Sequence, residues 1–437
     1  MLIPWTAEQI LALAPDTTFV KDAIDLATLR KWHEIGTNDK VVWGKYQGIE
    51  KHPCQTQIDL GETAFKCTCA TDKIPCQHSL ALYLLLVKNP NIFTHNQPPD
   101  WVQDWIESRR QKQAKKAEAE TIVDPVSQAK RAAKREENVT AGIEELDYWL
   151  RDLVRGGLAT LSQQDKSFWE TTAARMVDNQ ARLLARQIRI MSNINPTDTA
   201  WTEELLKGLG ILYLLLEGFK RRTTLSPESQ ADILTRIDWE FDKQLAHGIS
   251  LHDRWLVLGE RIEEINGEKD LLEASTWLWG WESKRFALIL QSTHISKPLE
   301  RSLFPGTCFE GEIVFFKSAY PLRAIVKQHH SPLTPISYIP GEKTINAALF
   351  EYTKALSSQP WIDRFPLSLQ AIIPQQYKNG WALRDSTNNI LPITPKFEQG
   401  WQLLAISGGH PINVFGEWNY NCFLPLSAWA EDYFISF

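Results

Sequence analysis

A chain of 437 residues with 47 Lys and Arg against 53 Asp and Glu carries a net charge of −6, which excludes a molecule that grips nucleic acid over its whole surface and leaves only a local basic patch for such work. Hydrophobic residues at 43% and charged residues at 23% are globular proportions, and the length suggests about three domains. The apolar runs LALYLLLV and ILYLLL fall far short of the roughly 20 residues a membrane helix needs, and the N-terminus lacks a secretory leader's basic stretch and cleavage site, so a soluble cytoplasmic protein without membrane association is expected, whose thiols stay reduced.

In chain order, residues 6–14 read as a short helix that Thr6 caps, with Gln9 as its capping-box partner. DLATLRKWHEIG reads as a second helix ending at Gly36. VVWGKYQG and CQTQIDLG then take strand character. From Ser79 the pattern is helical until the proline of NPNIF. Residues 106–147 hold no aromatic residue, and residues 109–135 carry nine Lys and Arg against three Asp and Glu. They read as a solvated, partly helical linker, with a phosphate-tracking basic arm as the rival.

The next block is helical. Ile143, Leu146, Leu150, Leu153 and Val154 share helical spacing before Gly156 and Gly157. Phe168, Trp169, Ala173, Met176, Val177, Leu184, Ile188 and Met191 continue the period to Pro196. TEELLKGLGILYLLLEGF is a further helix, Ser226 before Pro227 caps another, and DLLEASTWLWGWESKRFALIL is expected to close the bundle as a helix. From about residue 301 the period shortens: FEGEIVFFKS, LRAIVKQ, GWALRD, GWQLLAIS and INVFGEWN read as short strands. The expected architecture is α+β and multidomain, with an N-terminal helical segment (1–40), a small zinc-clamped ββα finger (41–98), a charged linker (99–138), a multi-helix central bundle (139–300) and a β-rich C-terminal domain (301–437).

The densest chemistry lies in KCTCATDKIPCQH. Cys67 and Cys69 flank one residue, six residues follow, and Cys76 and His78 flank another. Three thiolates and an imidazole suit tetrahedral zinc. The first pair sits at a bend after a strand, and the second at a helix entry, whose partial positive charge favours thiolates. A redox pair would use Cys-x-x-Cys, which is absent. His52 and Cys54, farther upstream, are the rival ligands; Cys308 and Cys422 read as isolated buried residues. Four ligands for one zinc leave no open position, so the metal is expected to be structural and not catalytic.

Cys-x-Cys, a short spacer and Cys-x-His leading into an apolar helix resemble the SWIM-type zinc finger. WGKYQG, YWLRDLVRGGLA, AARMVDNQARLLARQIR and LLAISGGHPINVFGEW likewise resemble stretches of bacterial SWIM-finger proteins, although Cys54 stands where an aromatic residue is expected. The resemblance implies two strands and a helix clamped by one zinc. It also implies an association with MoxR-type AAA+ ATPases and von Willebrand factor A-type proteins.

Elsewhere the chemistry is sparse. No Gly-x4-Gly-Lys-Ser/Thr, His-Glu-x-x-His or Gly-x-Ser-x-Gly occurs. His329 and His330 read as a loop pair, and His247 and His252 are spaced to miss each other on a helix. His410 reads as a turn residue. Trp277, Trp279 and Trp281 read as core or interface, and Arg175, Asp178, Arg182 and Arg186 as intrahelical ion pairs. The leading functional expectation is therefore a non-enzymatic protein-interaction adaptor. The rival is a DNA- or RNA-binding protein using the finger and the basic linker, although residues 40–88 carry only six lysines against four acidic residues.

Overall fold

The computed structural model describes residues 5–11, 13–15, 17–38, 40–48, 52–61, 63–71, 73–118, 125–237, 248–265, 270–295, 301–378, 380–430 and 433–437. The chain opens with α1 (Ala7–Leu11) and α2 (Thr17–Leu26). The capping box is in place: Gln9 N–H donates to Thr6 Oγ1 at 3.3 Å, and Thr6 N–H to Gln9 Oε1 at 2.8 Å. A five-stranded sheet follows, built from β1 (Trp32–Thr37), β2 (Val41–Tyr46), β3 (Cys54–Asp59), β4 (Ala64–Cys67) and, beyond α3 (Gln77–Lys88), the short β5 (Thr94–His95), in the order β4-β3-β2-β1-β5.

The finger is thus larger than two strands and a helix, and WHEIGT is strand where helix was expected. The reason lies at Gly36, opposite Trp43 in the ladder: a Cβ there would meet the Trp43 ring at 2.5 Å. The glycine that reads as a helix stop lets an indole lie across the sheet. The sheet is covered on both faces. α3 packs on one with an unbroken buried run from His78 to Leu86. On the other, Val102 and Trp105 of α4 (Asp100–Glu118) close over Val41 and Trp43. The first part of the charged stretch therefore belongs to the fold and is not a plain linker.

α5 (Pro125–Gly156), α6 (Lys166–Asp178), α7 (Arg182–Ser192), α8 (Trp201–Lys220) and the short α9 (Pro227–Arg236) form the helical bundle. Its core takes Ile143, Leu146, Leu150 and Leu153, then Trp169, Met176, Leu184, Ile188 and Met191, and five leucines of α8. Val154 and Val177, expected on the same apolar face, are exposed. Asp165 caps α6 and Ser226 caps α9, accepting from Phe168 N at 3.1 Å and Ser229 N at 3.2 Å. Arg175 pairs across helices with Glu145 at 2.5 Å rather than with Asp178.

The strands then begin at Ser250. β6 (Ser250–Glu264), β7 (Leu271–Gly280), β8 (Phe286–His294), β9 (Thr307–Phe315) and β10 (Arg323–His329) close on themselves in the order β6-β7-β8-β10-β9: β10 runs parallel to β8 and antiparallel to β9, while β9 pairs with β6. The result is a five-stranded barrel with the short β11 (Thr334–Pro335) on the side of β9. DLLEASTWLWGWESKRFALIL is therefore a hairpin and not a bundle helix. Its two faces are both buried, one in the barrel and one under the next sheet, so the alternation that marks a half-exposed strand is missing.

The last unit holds α10 (Ile345–Ser358), which the sequence reading passed over. β12 (Phe365–Tyr377), β13 (Gly380–Arg384) and β14 (Ile390–Pro392) precede α11 (Gly400–Ser407), then β15 (Ile412–Trp418), β16 (Phe423–Ala430) and β17 (Tyr433–Ser436). GWQLLAIS, expected as a strand, is α11. The left-handed Gly408, at φ 54°, donates its N–H to the Leu404 and Ala405 carbonyls and ends it. The sheet order is β14-β13-β12-β15-β16-β17.

The finger and the barrel share one hydrophobic core, in which Ile58, Phe65 and the leucines of α3 join Trp255, Phe304, Phe309 and Phe315. Phe65 meets Phe304 edge-on at 5.7 Å. Truncating Phe304 to Ala is expected to cost about 3–5 kcal/mol, as large-to-small changes in packed cores do, and to lower the unfolding midpoints of finger and barrel together. Denaturant titration followed by hydrogen exchange in both units tests this. Loss of protection in the barrel alone would separate the two units.

Candidate metal centre

Cys67 is the last residue of β4 and lies opposite Thr56 of β3. Its Sγ is 3.2 Å from the Thr56 hydroxyl. The ladder persists one residue further, where Thr68 N–H donates to the Gln55 carbonyl at 3.1 Å and Gln55 N–H to Thr68 Oγ1 at 2.9 Å. This double anchor fixes the direction in which the strand releases Cys69 into the turn. Cys76 is the N-cap of α3, and Ser79 N–H donates to its Sγ at 3.5 Å. His78 is the second residue of that helix; its Nδ1 is 3.8 Å from Cys67 Sγ, and its ring lies 4.9 Å from that of Tyr46.

The four residues therefore converge from a strand end and a helix start. One ligand atom from each lies within 4.8 Å of all the others. Sulfurs about 2.3 Å from a tetrahedral zinc stand roughly 3.8 Å apart, so the cluster is near the size the metal demands. Cys76 and His78 are buried, whereas Cys67 and Cys69 are half-buried. Among the described residues no other group of three or more His, Cys, Asp or Glu side chains is arranged to hold a metal.

The electrostatics of the bare cluster point the same way. Hydrogen bonding with Cys69 and Cys76, together with burial, pushes the Cys67 thiol far above the usual range. The Cys76 thiol is pulled far below it by hydrogen bonds with Cys67 and Cys69. One sulfur takes the charge and its neighbours keep their protons, because several thiolates this close repel. A divalent cation removes that conflict, which is why three thiolates and an imidazole fit zinc.

The rival ligands stay outside. Cys54 is buried in the ladder opposite Tyr46, and His52 joins no metal-holding group. Elsewhere, His252 lies 4.9 Å from His330 between ring centroids, while His329 turns to Phe309 at 4.4 Å. His329 and His330 thus part company, and His247 falls outside the described residues. His410 is exposed in the turn after α11. Trp277 is fully buried and donates to Glu417 at 2.8 Å, Trp279 packs on Phe286 at 4.5 Å and Trp281 on Tyr338 at 5.5 Å.

Three residues that the sequence reading passed over support the cluster. Thr56 and Ser79 touch its sulfurs. Arg301, on the approach to β9, donates from Nη1 to the Ile74 carbonyl at 3.4 Å and is ion-paired with buried Glu260. Nothing local in the sequence marks an arginine that reaches across 227 positions.

Residues 134–237 match the family model of the SWIM-associated four-helix bundle domain. Comparison with curated proteins and with solved structures finds no match for the chain. The matched segment is the helical bundle, and it follows the converging cysteines and histidine in the chain. A segment that matches the SWIM-associated four-helix bundle thus follows a Cys3His cluster compatible with a SWIM-type zinc finger.

Proposed function

We propose that Cys67, Cys69, Cys76 and His78 hold a single zinc ion as a structural clamp, and that the protein is a non-enzymatic adaptor whose partners are proteins. The observation that carries this reading is the burial of α3. Every residue from His78 to Leu86 is buried, and the sheet beneath is roofed by α4. A finger that reads a nucleic-acid groove needs an exposed helix face, and this helix has none. Four protein donors also leave the metal no position for water or substrate. When bound, zinc supplies charge neutralisation for the thiolates. The protein's own residues set the geometry: Thr56 and Ser79 steady two sulfurs, and Tyr46 packs on the imidazole.

The barrel supports the same choice. Five-stranded Greek-key barrels that bind oligonucleotides use the outer face of their second and third strands. Here that face carries the C-terminal sheet: Phe286 stacks on Phe415 at 6.0 Å, and Trp277 bonds to Glu417. A MoxR-type AAA+ ATPase or a von Willebrand factor A-type protein is the partner class that the resemblance to bacterial SWIM-finger proteins implies.

Cys76→Ser is expected to lose stoichiometric zinc by elemental analysis and to lower the unfolding midpoint, since structural zinc contributes on the order of 10 kcal/mol in small fingers. Cys54→Ser should keep its zinc. Acidification should release the metal, because protons compete for thiolates and imidazole. A Cys76→Ser protein that retains one zinc per chain would refute the ligand set.

For the adaptor reading, affinity capture with the intact chain should recover a protein partner, and a mobility-shift assay with DNA and RNA should stay flat at physiological salt. Nucleic-acid binding that weakens steeply with added salt, and that disappears when Arg109 and Arg110 are changed to Glu, would favour the basic stretch as a nucleic-acid arm instead.

A further inference from the structure

The metal cluster has a fourth thiol beside it. Cys54 stands opposite Tyr46 in the ladder between β2 and β3, and residues directly opposite in an antiparallel pair project from the same face of the sheet. Tyr46 is the residue whose ring lies 4.9 Å from that of His78. Cys54 therefore projects from the face on which the ligands gather. It is buried in the core against which Cys67 and Cys69 pack, and it is a thiol that belongs to no metal-holding group.

The ladder on the other side of β3 identifies its neighbour. Thr56 stands opposite Cys67, and its hydroxyl lies 3.2 Å from Cys67 Sγ, so this face too is the cluster's. Gln55 and Thr68 form the next rung, with Thr68 N–H donating to the Gln55 carbonyl at 3.1 Å. One residue further, the same register sets Cys69 opposite Cys54. Hydrogen-bonded and non-hydrogen-bonded pairs alternate along an antiparallel ladder. Gln55 and Thr68 are the hydrogen-bonded kind, so Cys54 and Cys69 fall on the other, in which Cα atoms stand about 4.5 Å apart. A disulfide spans Cα separations of about 4.4–6.8 Å. Cys67 is only a diagonal neighbour of Cys54, a relation that sets residues about 7–8 Å apart.

The two thiols also differ in access. Cys69 is half-buried in the turn, where a small solute from solvent can reach it. Cys54 is 7% exposed and is placed to react with the product from within.

We propose that Cys54 and Cys69 are a peroxide-responsive pair, whose disulfide takes Cys69 out of the metal clamp. The inference rests on the ligand set proposed above. The Cys69 thiolate attacks hydrogen peroxide, the O–O bond breaks, and a sulfenic acid and hydroxide result. The Cys54 sulfur then displaces the sulfenic oxygen and forms the S–S bond, and the Cys54 proton departs with that oxygen as water. The two thiols together lose two electrons, which the peroxide accepts. Cys67, Cys76 and His78 are then the only donors left, and the metal is released with its oxidation state unchanged.

The full chain, reduced and carrying its zinc, is treated with hydrogen peroxide while an absorbing chelator reads released zinc and peptide mass spectrometry maps the disulfides. Lys66 separates Cys54 from the ligand cysteines, so tryptic cleavage followed by fragmentation assigns the pairing. A Cys54–Cys69 link is expected, with loss of the one zinc per chain and its return when a dithiol reductant and zinc are added. Cys54→Ser, with Cys54→Ala as a second variant should serine disturb the core, is expected to bind zinc when reduced and to form no such link. It should also fail to regain zinc after the same treatment, because an unresolved sulfenic acid goes on to the irreversible sulfinic acid. A disulfide between two of Cys67, Cys69 and Cys76, with Cys54 left as a thiol, overturns the proposal. So do zinc loss and recovery that are unchanged in both Cys54 variants. A reduced chain that holds no zinc refutes the ligand set instead, and the disulfide map then decides the pairing on its own.

Discussion

A helix that is apolar on every side can only exist buried on every side, and α3 is such a helix. Its leucines have no polar face to turn to water, so the sheet of the finger covers one flank, α1 and α2 pack around another, and the barrel closes the remainder. The zinc-type cluster sits at the first turn of this helix. It is therefore anchored in the largest core of the molecule and not suspended on a mobile module. This constraint ties the N-terminal helices, the finger and residues 250–333 into one packed body.

The junction between barrel and C-terminal sheet is made differently, by charge. Arg364 donates to Glu263 at 3.1 Å, to Ser275 at 3.2 Å and to Glu273 at 3.4 Å, and Arg261 donates to Glu417 at 2.9 Å. Two guanidinium groups and three carboxylates come from β6, β7, β15 and the residue preceding β12, so the pairing works only in one register. Buried ion pairs contribute little net stability when complete and cost several kcal/mol when one member is lost. Their role here is orientation. The bundle is attached by a similar device, with Asp232 accepting from Ala319 N at 2.9 Å and Gln359 Nε2 at 2.8 Å, and Arg236 pairing with Asp363 at 3.2 Å.

What the sequence discloses follows from how local each cause is. The Thr6 and Ser226 caps and the Cys67, Cys69, Cys76 and His78 spacing are short-range facts, and they are readable without the fold. The bundle is readable too, because its helices bury one face and expose another. Reading fails where tertiary surroundings erase the period. β7 is covered on both faces, so TWLWGW carries no alternation. The α11 segment GWQLLAIS is too short for its period to separate helix from strand, and Gly36 is chosen by an indole seven residues away. The Arg301 contact and the Arg364 network join positions that only the folded chain brings together.

The position of the Cys3His cluster also accounts for what a metal would contribute there. The chain leaves β4 at Cys67 and enters α3 at Gln77 through a short turn whose few apolar residues, Ile74 and Pro75 among them, cannot build a core of their own. The buried helix start behind that turn must nevertheless be held in one orientation, because its leucines interlock with the barrel. Hydrophobic contact is limited at this edge, where Cys67, Cys69 and Ile74 are only partly buried against the core. A metal joining two strand-side sulfurs to a sulfur and an imidazole at the helix start would fix both ends of the turn with four bonds and would need no apolar area. Thr56, Ser79 and Arg301 then secure the residues around it from three different elements, so the order of the turn depends on the folded finger and on the barrel together.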